Sequence, residues 1–116
     1  MAGRLIAIVG PSGVGKDSVM SGLAVADPGL RIVRRVITRA PEAGGEDYQA
    51  VSEAEFDALV RADVFALHWD AHGLRYGIPH DIEKLREGTA GVLVNLSRGV
   101  LLQAQELFDD FRVISV

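Results

Sequence analysis

The sequence predicts an α/β fold in which a parallel sheet is flanked by helices and carries a phosphate-binding loop. An apolar run, Leu5-Ile6-Ala7-Ile8-Val9, ends at a glycine-rich turn, and it reads as a strand buried on both faces. Along the rest of the chain, short apolar segments alternate with segments of helical periodicity. This alternation is typical of parallel sheets with right-handed crossovers, in which ligands bind at the carboxyl ends of the strands.

Composition narrows the classes of protein that the chain can represent. Its 116 residues predict one domain, and its formal charge of -4 argues against bulk attraction to nucleic acid or to an anionic membrane. Without cysteine the chain has neither a disulfide framework nor a thiolate metal site. No apolar run approaches the roughly 18 residues of a membrane helix, and no secretory signal precedes the first strand. We expect a cytoplasmic protein whose partners are small molecules; the oligomeric state is unknown.

The turn after the first strand matches the P-loop pattern G-x-x-x-x-G-K-[ST] at every fixed position except the last. Its backbone N–H groups and the positive end of the following helix dipole would form a phosphate cradle. Lys16 would reach the β- and γ-phosphates of a nucleoside triphosphate. The predicted ATP-binding residues are Gly10, Pro11, Ser12, Gly13, Val14, Gly15, Lys16, Asp17 and Ser18.

Asp17 stands where the P-loop pattern has a hydroxyl residue. A carboxylate beside a triphosphate is repelled unless Mg²⁺ lies between them, so Asp17 either helps to hold the metal or favours the helix N-terminus. Ser18 could supply the missing hydroxyl, but it lies one position late. Mg²⁺ bound with ATP is the expected cofactor, with Asp17 as its candidate ligand.

The first half of the chain is expected to hold two strands and two helices. A helix from residue 16 to about 23 follows from apolar spacing and ends at a turn at 27–29. Residues 32–38 predict a strand, although their arginines fit a solvated edge equally well. Residues 40–47 read as a loop suited to covering a substrate, and a capping box at 52–55 starts a helix.

The second half is expected to continue the alternation of strands and helices. Residues 64–69 predict a strand, and Pro79 fits the entry of a helix that ends at Gly88. A buried strand at 91–95, a helix capped by Ser97 and a strand at 111–116 follow. Gly10 and Asn95 would then meet at one edge of the sheet.

The order of several motifs resembles the guanylate kinases. The P-loop is followed by Thr38-Arg39, Asp47-Tyr48, Leu67-His68-Trp69 and Tyr76-Gly77, as in that superfamily. Guanylate kinases carry a glutamate before the tryptophan to read guanine, whereas this chain has His68. A hydroxyl residue usually follows their Tyr-Gly pair, whereas this chain has Ile78. These two differences disfavour guanine as the ligand.

The chain more closely resembles the ribose 1,5-bisphosphate phosphokinase family of phosphonate metabolism. The matching stretches are Gly-Pro-Ser-Gly-Val-Gly-Lys-Asp-Ser (10–18), Arg-Arg-Val-Ile-Thr-Arg (34–39), Gly-Gly-Glu-Asp (44–47), Phe-Ala-Leu-His-Trp (65–69) and His-Gly-Leu-Arg-Tyr-Gly-Ile-Pro (72–79). The resemblance implies a P-loop NTPase with a nucleoside monophosphate kinase-like parallel sheet, C-terminally truncated. It further implies a core at 1–39 and 89–116, a substrate-binding insertion at about 40–88, and an Asp17 that is normal for the family.

The resemblance also implies an activity and a set of residues for it. The enzymes phosphorylate ribose 1,5-bisphosphate with ATP and produce 5-phosphoribosyl 1-diphosphate. A doubly phosphorylated sugar carries about four negative charges, which planar guanidinium groups neutralise and orient well. We expect Lys16 and Arg39 to be catalytic. The predicted substrate-binding residues are Arg35, Arg39, Tyr48, His68, Arg75, Tyr76 and Asn95.

Several of these assignments have a structural alternative. His68 and His72 could be ordinary satisfied side chains, and Tyr48 and Tyr76 could be core residues. Arg34 takes the opposite face of a strand from Arg35 and is expected to be solvated. Family members continue with a basic lid, so we expect these 116 residues alone to turn over poorly. The alternative functions are a guanylate-type nucleoside monophosphate kinase and a non-catalytic nucleotide-binding or protein-interaction module.

Overall fold

The computed structural model describes residues 3–10, 16–40 and 48–116, except the side chain of Asp17. In chain order its elements are β1 (Arg4–Val9), α1 (Lys16–Ala26), β2 (Leu30–Ile32), β3 (Val36–Ile37), β4 (Gln49–Ala50), α2 (Glu53–Arg61), β5 (Phe65–Ala71), β6 (Leu74–Pro79), α3 (Ile82–Arg86), β7 (Gly91–Asn95), a 3₁₀ turn (Arg98–Val100), α4 (Leu101–Leu107) and β8 (Phe111–Ser115). No helix among these described residues is long and apolar enough to cross a membrane.

The chain divides into two compact units. The first comprises Met1–Val33 and Glu83–Val116, and the second comprises Arg34–Ile82. The sequence placed an insertion at about 40–88, whereas the second unit begins at Arg34. It begins there because β3, which follows directly, pairs with β4 and β6 of the second sheet.

The first unit is built on a four-stranded sheet in the order β2-β7-β1-β8, in which every pair is parallel. All five residues of β7 are buried, and β1 is buried from Ala7 to Val9. Apolar residues on both faces are expected for central parallel strands. The sequence prediction of an α/β fold with a parallel sheet is confirmed, as are the strands at 5–9, 91–95 and 111–116.

α1 is attached to this sheet through one apolar cluster. Ile8 of β1, Met20 of α1 and Leu93 of β7 form its buried centre. The helix extends to Ala26, three residues beyond the end expected from the apolar spacing, and Asp27 then accepts a 2.9 Å hydrogen bond from the Gly29 amide. The predicted turn at 27–29 is therefore confirmed.

Arg86 anchors the amino-terminal ends of two strands in the first unit. Although its side chain is 1% exposed, it donates from Nε to the Gly3 carbonyl at 2.9 Å and from Nη2 to the Asp109 carbonyl at 2.8 Å. Gly3 leads into β1 and Asp109 leads into β8. Glu83 lies 3.2 Å from Nη1 and balances the charge. One buried guanidinium thus connects α3 to the starts of two strands.

The second unit contains a mixed sheet in the order β4-β3-β6-β5. β3 and β4 are parallel, whereas β6 is antiparallel to both β3 and β5. The sequence did not predict β6, and its expectation that Pro79 opens a helix is wrong. Pro79 ends β6, where a missing N–H is tolerated, and α3 begins three residues later at Ile82.

The turn between β5 and β6 explains why the sequence did not predict β6. His72 and Gly73 form a two-residue connection between the paired residues Ala71 and Leu74, with φ values of 55° and 72°. Positive φ at both central positions matches the right-handed twist of a hairpin. A histidine rather than asparagine or aspartate at the first position made the hairpin hard to recognise.

The single strand predicted at 32–38 is also wrong. β2 ends at Ile32 and belongs to the first sheet, whereas Val36 and Ile37 belong to the second. Residues 33–35 are not in a strand, because the chain leaves one unit and enters the other between Val33 and Arg34.

α2 packs on the second sheet and begins where the sequence predicts. The Ser52 hydroxyl accepts from the Glu55 amide at 3.0 Å, and Glu55 Oε1 accepts from the Ser52 amide at 2.8 Å, which confirms the capping box. Phe56 of α2 contacts Phe65 of β5, with ring centroids 4.8 Å apart. A Cβ on Gly77 would lie 2.4 Å from the Phe65 ring, so glycine is required there for packing.

Candidate functional site

The carboxyl ends of β1 and β7 lie side by side in the first sheet, where the sequence places the phosphate cradle. β1 and β7 run in register with Ile8 opposite Asn95, and the Leu96 amide donates to the Ile8 carbonyl at 3.1 Å. Gly10 therefore follows β1 beside Asn95, as the sequence predicts. Asn95 is 7% exposed, so its amide is a nearly buried polar group at this edge.

α1 starts at this edge with the lysine of the P-loop pattern. Lys16 is the first helical residue and is half-buried, and Ser18 is exposed in the same turn. The first amides of a helix lack intrahelical acceptors, and the helix dipole adds positive charge at this end. Pro11, Ser12, Gly13, Val14 and Gly15 lie outside the described residues, as does the side chain of Asp17.

The sequence predicts Mg²⁺ as the cofactor, and the oxygen-bearing side chains of the first unit can be compared with what this ion requires. Across residues 3–10, 16–40 and 48–116, no group of three His, Cys, Asp or Glu side chains could hold a metal. Ser18 and Asn95 are neutral oxygen donors in this unit. Mg²⁺ keeps several waters and binds through phosphate oxygens with only one or two protein ligands, so the oxygens of Ser18 and Asn95 are compatible with it.

In the second unit, Arg39 and Tyr48 form one cation–aromatic pair. The Arg39 guanidinium carbon lies 4.5 Å from the centre of the Tyr48 ring, and Nε donates to the Tyr48 hydroxyl at 3.2 Å. The hydroxyl in turn donates to the carbonyl of Ala40. Both side chains are half-buried, so a cation and a phenol are held together at the surface.

Arg35 forms a second pair with Tyr76. Its guanidinium carbon lies 5.0 Å from the centre of the Tyr76 ring, and the Trp69 ring stacks on the same tyrosine with a centroid distance of 5.3 Å and an interplanar angle of 8°. Arg35 is 6% exposed, an unusual burial for a cation. We call Trp69, Tyr76 and Arg35 the aromatic stack.

Arg75 lies among carboxylates. It pairs with Asp57 through a short hydrogen bond, with Glu53 at 3.5 Å and with Asp70 at 3.6 Å, and it covers the ring of Phe56 at 4.4 Å. The hydrogen bond from Arg75 lowers the pKa of Asp57, and the same bond raises the pKa of Arg75. These contacts indicate that Arg75 links α2 to the β5–β6 hairpin. The substrate role of Arg75 stays a prediction.

The remaining predicted residues of this unit are exposed. His68 points out of β5 with its ring centroid 6.3 Å from that of Phe56 and 6.1 Å from that of Phe65. Arg34 is exposed and donates to the Tyr48 carbonyl at 3.4 Å, which agrees with the expectation of a solvated side chain. His72 serves the hairpin turn described above.

The sequence did not indicate the structural roles of two residues, Trp69 and Arg86. Trp69 stacks on the Tyr76 ring, which the Arg35 guanidinium also contacts. Its placement beside Tyr76 could have been inferred only from the β5–β6 register, in which the two residues are direct partners. No sequence pattern indicated that Arg86 is buried, because a cationic side chain near the end of a helix is normally expected to be exposed to solvent.

Similarity to curated proteins covers nearly the whole chain. It is 86% identical over 114 residues to a Ruegeria sp. (strain TM1040) protein named ribose 1,5-bisphosphate phosphokinase PhnN. It is 52% identical to the protein of the same name from Pseudomonas paraeruginosa and 42% identical to that from Brucella abortus. Each alignment covers 98% of this chain but only 60%, 63% and 61% of the respective relative. No protein-family model matches the chain.

The fold is that of a solved kinase. The chain resembles guanylate kinase from Anaplasma phagocytophilum with a TM-score of 0.79 and 23% sequence identity. The similarity covers 98% of this chain and 58% of that structure. The predicted guanylate kinase-like fold is therefore confirmed, and the chain spans about 60% of the length of the relatives that it matches.

Proposed function

We propose that this chain, a homologue of the ribose 1,5-bisphosphate phosphokinases over 98% of its length, carries the nucleotide and acceptor sites of an ATP-dependent phosphotransferase. In the proposed reaction, an oxygen of the 1-phosphate of ribose 1,5-bisphosphate attacks the γ-phosphorus of ATP. The bond from that phosphorus to the β,γ-bridging oxygen breaks. The products are 5-phosphoribosyl 1-diphosphate and ADP.

The observation that carries this proposal is the presence of two arginine–tyrosine pairs in the second unit. Arg35 lies on Tyr76 and Arg39 lies on Tyr48, with guanidinium–ring distances of 5.0 and 4.5 Å. A bisphosphate presents two separate dianions, and two oriented guanidinium groups can each take one. A nucleoside monophosphate presents a single phosphate and a base. His68 occupies the place where guanylate kinases have a glutamate for guanine, so the second cation suits a second phosphate.

The donor site is assigned to the first unit. Lys16 and the amides at the start of α1 bind the β- and γ-phosphates, and Asn95 positions a ligand at the ends of β1 and β7. Mg²⁺ bound with ATP neutralises phosphate charge, and Asp17 and Ser18 are the side chains proposed to approach it. Arg39 is the proposed catalytic cation of the second unit. We further propose one P-loop kinase-like domain with a cytoplasmic location.

Equilibrium binding to this chain tests the acceptor assignment. Ribose 1,5-bisphosphate and guanosine monophosphate are titrated separately by calorimetry, first into the unchanged chain and then into Arg39→Gln. We expect the bisphosphate to bind at least tenfold more tightly than the nucleotide, and the substitution to weaken it by a further tenfold or more, because one charge-assisted pair is lost.

A matched control uses the neighbouring exposed cation. Arg34→Gln changes the same charge on the same segment and is expected to leave both affinities within twofold. Tighter binding of guanosine monophosphate would favour the guanylate-type alternative. Binding of neither ligand would favour a module that does not act on these acceptors.

A further inference from the structure

We infer that Arg98 is a further phosphate-binding residue of the donor site, where Ser115 holds its guanidinium at the carboxyl end of β1. The inference rests on the proposed function, because it adds a residue to the nucleotide site of the same reaction. Arg98 contacts the phosphate chain of ATP, and Ser115 is a positioning residue that acts through Arg98.

The order of strands in the first sheet brings Arg98 and Ser115 to one end of β1. β1 lies between β7 and β8, and its last residue, Val9, is paired with Ser115 of β8. On the other side, Ile8 is paired with Asn95, the last residue of β7. Arg98 follows Asn95 by three residues, and its Nη2 donates a short hydrogen bond to the Ser115 hydroxyl. A side chain from the segment after β7 therefore reaches β8, and the contact lies at the carboxyl end of the strand between them.

The backbone is fixed on both sides of this contact. The Val116 amide donates to the Val9 carbonyl at 2.9 Å, which keeps the chain beside Ser115 paired with β1. Arg98 begins a 3₁₀ turn that is anchored by the buried side chain of Val100. The guanidinium thus extends from a fixed turn to a fixed hydroxyl. Less conformational entropy then remains to be lost when an anion binds to it.

Arg98 differs from three other arginines of the first unit in the partners that it has. Arg4, Arg86 and Arg112 each lie within 3.7 Å of a carboxylate oxygen. Arg98 is exposed, and in the part of the chain that the structure describes it pairs with the Ser115 hydroxyl and with no carboxylate. A hydroxyl is neutral, so it orients the guanidinium without compensating its charge. Ser115 also occupies only one of the five N–H donors that a guanidinium carries.

The position of this cation suits the phosphates of the nucleotide. Ligands of open α/β sheets bind beyond the carboxyl ends of the strands, and β1 leads at this end to Gly10, the first residue of the P-loop pattern. Lys16 begins α1 in the same unit. Phosphoryl transfer needs the charge of the phosphates to be neutralised, and a guanidinium can contact two phosphate oxygens at once. Because the residues proposed for the acceptor belong to the second unit, we assign Arg98 to the nucleotide.

Calorimetry on this chain tests the assignment with three ligands, which are ATP, inorganic triphosphate and ribose 1,5-bisphosphate, each in the presence of Mg²⁺. We expect Arg98→Gln to weaken the binding of ATP and of triphosphate by about tenfold, because a charge-assisted hydrogen bond to phosphate is lost. The affinity for ribose 1,5-bisphosphate should stay within about twofold. Arg98→Lys keeps the charge without the planar fork, so it should lose less affinity for ATP than Arg98→Gln.

The matched control is Arg112→Gln. It also removes an exposed cation from the first unit, but Arg112 lies near the opposite end of β8 from Ser115 and pairs with Asp110 at 3.7 Å. All three affinities should stay within about twofold in this variant. Circular dichroism verifies that each variant is folded.

The positioning role of Ser115 is tested with Ser115→Ala and Ser115→Thr. The alanine variant lacks the hydroxyl that accepts from Arg98 and should bind ATP about threefold more weakly, whereas the threonine variant keeps a hydroxyl and should retain most of the affinity. In the Arg98→Gln background, Ser115→Ala should cause no further loss, because Ser115 acts through Arg98. Equal losses in the two backgrounds would refute the positioning role.

Three results would overturn the assignment of Arg98 while leaving the proposed function in place. The first is an ATP affinity in Arg98→Gln that equals the affinity in Arg112→Gln. The second is a loss of affinity for ATP without a loss for triphosphate, since the contact would then be with the nucleoside. The third is a loss for ribose 1,5-bisphosphate as large as the loss for ATP. If the unchanged chain binds neither ATP nor triphosphate, the donor site of the proposed function fails, and this inference fails with it.

Discussion

Replacement of Arg86 by methionine tests how the first unit is held together. The substitution keeps a long apolar side chain and removes the guanidinium that donates to the carbonyls of Gly3 and Asp109 at 2.9 and 2.8 Å. A buried acceptor that loses its donor costs about 1–3 kcal/mol. The carboxylates of Glu83 and Asp109 are 53% and 89% exposed, so they rehydrate at little cost.

Removal of the charge also relieves part of its desolvation penalty, which offsets some of this loss. We therefore expect Arg86→Met to lower the free energy of unfolding by about 3 kcal/mol. With a denaturant slope of about 1.5 kcal/mol per M, the urea midpoint falls by about 2 M. Far-UV circular dichroism during urea titration measures the midpoint directly.

The control is Arg112→Met, which removes an exposed cation whose Nε lies 3.7 Å from Asp110. An exposed pair of this kind is worth at most about 1 kcal/mol, so its midpoint should move little. Arg86→Lys separates charge from geometry, because an ammonium cannot reach both carbonyls in a planar fork. If Arg86→Met moves the midpoint no more than Arg112→Met does, the anchoring role of Arg86 is refuted.

Three further predictions concern the second unit. Gly77→Ala places a Cβ 2.4 Å from the Phe65 ring and should destabilise the protein by about 1–3 kcal/mol in urea titration, since the ring must move; an unchanged midpoint would show that the ring adjusts freely. Ser52→Ala removes the hydroxyl cap of α2 and should cost about 1 kcal/mol, whereas Ser52→Asp, which caps equally well, should cost much less. The hydrogen bond from Arg75 lowers the pKa of Asp57 in the folded state. The stability that this bond contributes is therefore present above the pKa that Asp57 has in the unfolded chain, and it is lost as the pH falls through the folded-state pKa of Asp57. Asp57→Asn should therefore be less stable than the unchanged chain at pH 7 and should approach it in the acid range near and below the ordinary carboxyl pKa; a difference that does not depend on pH would contradict this linkage.

The sequence predicted the first unit well because its signals are local. An apolar run buried on both faces defines β1 and β7. In the second unit, the capping box at Ser52 was predicted for the same reason, because it depends on residues three positions apart. The P-loop pattern likewise depends on fixed spacing, and it correctly placed the end of β1 and the start of α1. Patterns of this kind do not require knowledge of which elements are neighbours in space.

The second unit was predicted less well because its organisation depends on pairing between distant residues. β6 was missed, so the partnership of Trp69 with Tyr76 and the contact of Arg35 with that tyrosine were not visible. Arg75 was assigned to substrate on the basis of resemblance and charge, and the carboxylates around it come from α2 and β5. Strand register and side-chain neighbours cannot be read from composition or spacing alone.

The central claim is that the acceptor is a doubly phosphorylated sugar, and product analysis tests it most directly. A chain extended to the full length of its curated relatives is incubated with ATP, Mg²⁺ and an equimolar mixture of ribose 1,5-bisphosphate and guanosine monophosphate, and ³¹P NMR follows the products. The account predicts a sugar diphosphate signal that grows with ADP and is absent in Lys16→Ala. Formation of guanosine diphosphate in place of the sugar diphosphate would contradict it.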